Sequence, residues 1–333
     1  MYLFALPAAL LILQTPVAEA PPPAALPPTV VLPTQIPPVE IPPPQTAPQQ
    51  LGELTVTAPE PRFVAPTRRD RIGRIWAPVE INGRGPFRLV LDTGATHSAV
   101  TAKVAEALGI TLQYPGTVTL QGATGKVKVP VIAVDSLEVG ELLMMPKRLP
   151  IVPDALGGAE GILGTDGLGD KRITIEFRHD RITIMRSRNE KAPPGYVTVP
   201  VKFMRGRLLV VDAWLGGVRT KAIIDTGGQA TLGNVALRDA LAKRRNAKPS
   251  VPDEVTGATL DVQTGDRIPT PAVVLGEIMV RNAAMTFADF AIFEHWKMID
   301  EPTMLIGMDV LGLIDTLIID YRRRELQVRL HRF

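Results

Sequence analysis

Cysteine is absent from the 333 residues, histidine and serine occur four times each, and aromatic residues make up only 5%. The lack of cysteine removes disulfides, thiolate nucleophiles and cysteine-held zinc together. The histidines (His97, His179, His295 and His331) are dispersed and never form HExxH, so the helical zinc-hydrolase pattern is missing. No serine stands in G-x-S-x-G, which excludes a nucleophile elbow. The glycine-rich GTDGLG at 164–169 lacks both the phosphate-loop lysine and the dinucleotide spacing. No metal and no cofactor is therefore expected. The net charge of +3 is mild, and the basic residues fall in short runs such as Arg322, Arg323 and Arg324. These read as solvated surface, and no nucleic-acid groove is expected. What is present is 45% apolar residues, enough for two cores built largely from aliphatic side chains.

The amino-terminal part stands apart in composition. Residues 3–13 form an apolar run broken only by Pro7, and Ala18-Glu19-Ala20 follows with small residues at the two positions that determine cleavage. This is the form of a secretory signal at 1–20, although no Lys or Arg precedes the run, which is also shorter than the roughly 20 residues of a spanning helix. An exported protein, periplasmic or secreted, is expected, with membrane attachment only if the leader stays uncleaved. Residues 21–48 then hold twelve prolines. Proline lacks the amide donor of helix and sheet, so 21–71 is expected to be an extended, disordered tether.

The rest of the chain is a duplication. The stretch 87–101, FRLVLDTGATHSAVT, returns at 219–234 as RTKAIIDTGGQATLGN, so Asp92-Thr93-Gly94 is answered by Asp225-Thr226-Gly227, 133 positions later. Asn82-Gly83 and Gly216-Gly217 mark hairpin turns ahead of each motif, and Thr101 and Asn234 are placed to cap a short helix after it. Gly122, Ala123, Thr124 and Gly125 match Gly257, Ala258 and Thr259 inside a polar segment between strands. GILGTD at 161–166 matches LIGMD at 305–309, and ITIEF at 173–177 matches LIIDY at 317–321. An ordered series of matched landmarks predicts two homologous lobes, 72–186 and 196–333, joined by a linker at 187–195. Both are rich in short strands, so the expected class is mostly β with a few short helices.

A lone Asp-Thr-Gly is weak, since Asp and Gly also suit ordinary tight turns. Here each copy ends a buried apolar strand in a charge that the strand does not need. Two such acids, one from each lobe, can meet on a pseudo-twofold axis. Carboxylates that close share one proton and act as a paired acid and base, able to activate water without a metal or a covalent intermediate. Thr93 and Thr226 fit as hydroxyls tying the loops together, and Gly94 and Gly227 let backbone N–H groups approach the carboxylates.

LVLDTGATHSAV with GILGTD, and AIIDTGGQATL with LIGMDVL, resemble the retropepsin-like and pepsin-like aspartic peptidases, most closely the bacterial retropepsin-like kind. The resemblance spans 72–333. It implies two closed, barrel-like β lobes with a cleft between them, Asp92 and Asp225 as the catalytic pair, and peptide or protein as substrate. It also implies that the segments containing Gly164 and Gly307 pack under the catalytic loops, and that Asp166 and Asp309 serve as helix caps. Gly122 to Gly125 and Gly257 to Thr259 fall at the hairpin flaps that close over substrate. Both lobes lie on one chain, so a monomer is expected, with pairing of two chains through their first lobes left open. The first flap lacks the tyrosine of pepsins, and Gly228 stands where the family carries Ser, Thr or Ala. Without hydroxyls at Ala95 and Gly228, a less acidic pH optimum than that of pepsins is expected. A protein that binds peptides on the same duplicated fold without turnover stays open as the alternative.

Overall fold

The computed structural model describes residue 74 and residues 76–331 apart from 113–115, 140–141, 146, 155, 180, 205–206 and 245–248, together with three short strands, Ala5–Leu6, Leu13–Thr15 and Leu54–Thr57. Most of the expected signal peptide and tether lies outside the described residues. At Leu54–Thr57 the expectation of disorder fails, because this segment pairs in parallel with Ile278–Arg281. Residues 49–58 contain no proline and include β-branched Thr55, Val56 and Thr57, so their amides can complete a sheet edge.

Each lobe begins with a hairpin. In lobe 1, Trp76–Ile81 pairs with Arg84–Leu91 around Asn82 and Gly83, whose φ angles of 51° and 66° suit the primed turn that matches strand twist. In lobe 2, Leu208–Leu215 pairs with Val218–Ile224 around Gly216 and Gly217 at 56° and 83°. Trp76–Ile81 alternates between buried and exposed side chains, as a half-covered strand should. Leu89, Val90 and Leu91, by contrast, are buried on both faces where their strand enters the centre. Ile223 and Ile224 repeat this in lobe 2. Each central strand then runs parallel to a short one, Gly161–Leu163 or Thr303–Ile306, which in turn pairs antiparallel with the strand after the Asp-Thr-Gly loop, Ala99–Thr101 or Leu232–Gly233.

From flap hairpin to small hairpin the strand orders of the two lobe sheets correspond one for one, the lobe 2 sheet adding Leu54–Thr57 and Lys202–Met204. Each runs from the flap hairpin (Thr117–Gln121 with Lys126–Val134, or Val251–Thr256 with Val262–Pro269) through the central strands to a small hairpin (Leu137–Val139 with Leu142–Met144, or Val273–Leu275 with Ile278–Arg281). These orders are open paths, and no closed barrel is present among the described residues, a correction to the expected closed lobes. The flap edges do not close back on their own sheets but pair with the short strands Ala5–Leu6 and Leu13–Thr15.

A third sheet belongs to both lobes. Its order is Arg181–Arg186, Lys171–Glu176, Ile314–Asp320, Glu325–Leu330 and Val197–Pro200, with the lobe 1 strand Lys171–Glu176 antiparallel to the lobe 2 strand Ile314–Asp320. Buried Arg172 crosses this seam, donating to Asp320 Oδ2 at 3.0 Å and to Gln327 Oε1 at 2.7 Å. Ser187 Oγ donates to Asp320 Oδ1 at 2.9 Å, so the buried ion pair is hydrogen-bonded on both sides. The sequence places Ser187 at the start of an exposed linker; its hydroxyl instead belongs to this seam. Exposed side chains begin at Arg188. The helices are short, as expected: Ala102–Ala107, Val235–Ala242, Ala291–His295 and Met308–Leu311. Asn234 caps its helix by accepting from the Leu237 amide at 2.9 Å, whereas Thr101 makes no side-chain cap bond.

Candidate active site

Backbone bonding first fixes where the two acids stand. The Asp92 amide donates to Leu163 O and the Asp225 amide to Ile306 O, each at 3.0 Å, so each acid is delivered at the end of its parallel strand pair. The two loops then meet. A Cβ on Gly94 would lie 3.0 Å from Asp225 Oδ1, and one on Gly227 would lie 2.3 Å from Asp92 Cγ. The partner's carboxylate therefore occupies the space that any side chain at these glycines would need.

Beneath the acids the threonines cross the lobe boundary reciprocally. Thr93 Oγ1 donates to Ile224 O at 2.7 Å and accepts from the Thr226 amide at 3.1 Å. Thr226 Oγ1 donates to Leu91 O at 2.7 Å and accepts from the Thr93 amide at 3.2 Å. Both hydroxyls are buried and use one donor and one acceptor, which leaves the loops no freedom to slide apart without exposing unpaired groups.

The electrostatics of the pair are unequal. Asp92 Oδ1 accepts from the Gly94 and Ala95 amides at 2.8 and 2.9 Å, an arrangement that favours its charged form. Asp225 Oδ1 accepts from the Gly227 amide at 2.9 Å, the Gly228 amide also favours its charged form, and its Oδ2 is fully buried. Burial, followed by the charge of Asp92, raises the Asp225 pKa well above the ordinary carboxylate range. The two carboxyls thus meet in an arrangement in which burial and mutual repulsion favour a proton on the pair.

Gly164 and Gly307 sit under the loops, as expected. A Cβ on Gly164 would come within 2.4 Å of the His97 backbone, and one on Gly307 within 2.6 Å of Ala230 O. Asp166 and Asp309 have a different use from the helix capping inferred for them. Asp166 Oδ1 accepts from the Ser98 amide and hydroxyl at 3.1 and 3.0 Å, and Asp309 accepts from the Thr231 amide and hydroxyl at 3.0 and 2.7 Å. The same hydroxyls accept from the Gly164 and Gly307 amides. Ser98 and Thr231 are thus the support residues that sequence reasoning missed. Their signal was available, since each lies six positions beyond its aspartate. His97 Nδ1 approaches Asp166 Oδ2 at 4.0 Å, on the rim and away from the acids.

The flaps are in place, with Gly122 to Gly125 and Gly257 to Thr259 at the tips of the two hairpins. The tips touch one another: Thr124 Oγ1 donates to Asp261 O at 2.6 Å and accepts from the Gly257 amide at 3.0 Å. A Cβ on Gly122 would meet Thr259 Cγ2 at 2.9 Å. Asp92 and Asp225 are only 1% and 0% exposed.

The fold, the duplicated loop and the paired acids define a class, and comparison with known proteins bears on the same residues. The aspartyl protease family matches residues 77–166 and 211–310, one segment in each lobe, and the chain belongs to that family. No curated protein matches the chain.

Proposed function

We propose that the chain is an aspartic endopeptidase in which Asp92 and Asp225 share one proton across the lobe boundary. The observation that carries this is the mutual fit of the two motifs, each carboxylate filling the space beside the other's glycine. Ionised Asp92 takes a proton from a bound water while the water oxygen bonds to the peptide carbonyl carbon. Protonated Asp225 hydrogen-bonds the carbonyl oxygen as it becomes an oxyanion. A proton then passes to the amide nitrogen as the C–N bond breaks, and the dyad regains its single shared proton.

The test is digestion of a mixed peptide library by the full chain between pH 3 and 8, alongside Asp92→Asn and Asp225→Asn. Both variants are expected to lose cleavage by on the order of 10²–10⁴-fold. Undiminished cleavage by both variants would refute the dyad. The raised Asp225 pKa places the loss of activity at high pH above the ordinary Asp value, so a maximum below about pH 4 contradicts this electrostatic reading. The leader-like residues 1–20 point to export, which fractionation of cells expressing the full chain tests directly.

A further inference from the structure

Each flap tip leaves its own lobe. Ala123, on the first flap, is 0% exposed and sits in the apolar cluster of lobe 2 with Ile223, Phe290, Phe293 and Trp296. Its carbonyl accepts from the Ile292 amide at 3.1 Å. Ala258, on the second flap, is 1% exposed and sits in the apolar cluster of lobe 1 with Val90, Ala95, Leu120, Leu156 and Ile162. Val90 and Ile223 each stand two residues before an aspartate, so both clusters border the dyad. Ala95 joins the lobe 1 cluster directly to the Asp92 loop. The Thr124 hydroxyl is the latch between the tips, and the counterpart Thr259 hydroxyl is buried without a partner.

We propose that the two tip alanines are built-in occupants of the apolar sites that receive the substrate side chains on either side of the cleaved bond, so that the cleft is self-filled until the Thr124 latch parts. This rests on the peptidase reading. A methyl group is the smallest apolar occupant, so a peptide with larger apolar side chains at these positions buries more surface than the alanines do and displaces them. A charged side chain would lose its hydration there without gaining a partner. The two sites are also unlike: the one vacated by Ala123 has aromatic walls of Phe290, Phe293 and Trp296, and the one vacated by Ala258 has mostly aliphatic walls with Trp76 packed against them. The unpartnered Thr259 hydroxyl is left beside this path for a peptide backbone group to use.

The cysteine-free chain allows a clean lock. A Cβ on Gly125 would lie 2.9 Å from the Asp261 Cβ, so a small outward shift reaches the roughly 3.5–4.5 Å of a disulfide. In the full chain carrying Gly125→Cys and Asp261→Cys, oxidation is expected to lower kcat/KM by at least about 10-fold on peptides cut by the wild type, with recovery on reduction. Hydrogen exchange of the Ile292 and Gly257 amides is expected to quicken about 10-fold in Thr124→Val. Equal turnover by the oxidised and reduced forms overturns the proposal, as does unchanged exchange in Thr124→Val or a library preference for charged residues beside the cut. If the wild type and the reduced variant both cleave nothing, the peptidase reading fails. The exchange measurement then still decides whether the tips are latched.

Discussion

The loops at Asp92 and Asp225 differ at every position from the fourth to the seventh, Ala95-Thr96-His97-Ser98 against Gly228-Gln229-Ala230-Thr231, and yet they carry the same bonds. Thr93 and Thr226 exchange identical contacts across the boundary. Ser98 and Thr231 each take a carboxylate and a glycine amide. The Thr165 amide donates to Ala95 O in one lobe, and the Met308 amide to Gly228 O in the other, at 2.9 and 2.8 Å. Duplication has kept hydroxyls and glycines at fixed spacing and let the side chains between them change. The acids themselves do differ, Asp92 accepting two close amides at one oxygen while burial and the charge of Asp92 raise the Asp225 pKa despite the amides of Gly227 and Gly228.

That inequality gives the largest effect by which to break the comparison. Folding raises the Asp225 pKa, so the folded chain holds this proton more tightly than the unfolded chain does. The stability linked to it is complete below the ordinary Asp value and is lost as pH rises through the folded value. Asp225→Asn removes this loss, and its melting temperature should exceed that of the wild type at pH 7.5 but not at pH 3. Every tenfold by which folding tightens the hold on this proton corresponds to about 1.4 kcal/mol. Asp92→Asn should show less gain, since its carboxylate already has amide donors. Equal melting shifts in the two variants would erase the distinction between acid and anion.

The threonines come next, and there the lobes should behave alike. Thr93→Val strands Ile224 O and the Thr226 amide, and Thr226→Val strands Leu91 O and the Thr93 amide. Each should cost about 2–6 kcal/mol in denaturant titration, from two buried groups at about 1–3 kcal/mol apiece. A difference of more than about 1 kcal/mol between them would show that one lobe bears the junction alone. The smallest effect belongs to Gly228→Ala, which restores the residue of the first copy. Because the backbone bond at this position is the same in both loops, kcat/KM should change by less than about 3-fold. A loss near that of the aspartate variants would make Gly228 a positioning residue in its own right.

Much of this was legible in the sequence, because duplication prints each constraint twice. The turns at Asn82-Gly83 and Gly216-Gly217, the paired acids, their threonines and the glycines beneath them all follow from matched spacing and backbone chemistry. Ser98 and Thr231 were legible in principle but differ in identity, and a hydroxyl announces itself only once its partner is known. The capping role expected of Asp309 failed because a carboxylate at a helix start can serve a neighbouring loop as readily as its own helix. The meeting of Thr124 with Asp261 O could not be read at all, since a backbone carbonyl accepts whatever side chain the fold brings to it. The Leu54–Thr57 strand was hidden by the prolines around it.

The sheet shared by the lobes also sets a moment in the life of the molecule. Lys171–Glu176 pairs with Arg181–Arg186 on one edge but fills its other edge with Ile314–Asp320, and the Thr93 side chain bonds across the lobe boundary to Ile224 and Thr226. A chain still being synthesised, with lobe 1 emerged and lobe 2 unfinished, carries one acid with no second acid to share its proton. On the proposed two-acid reading, competence to cut therefore arrives only once lobe 2 is complete.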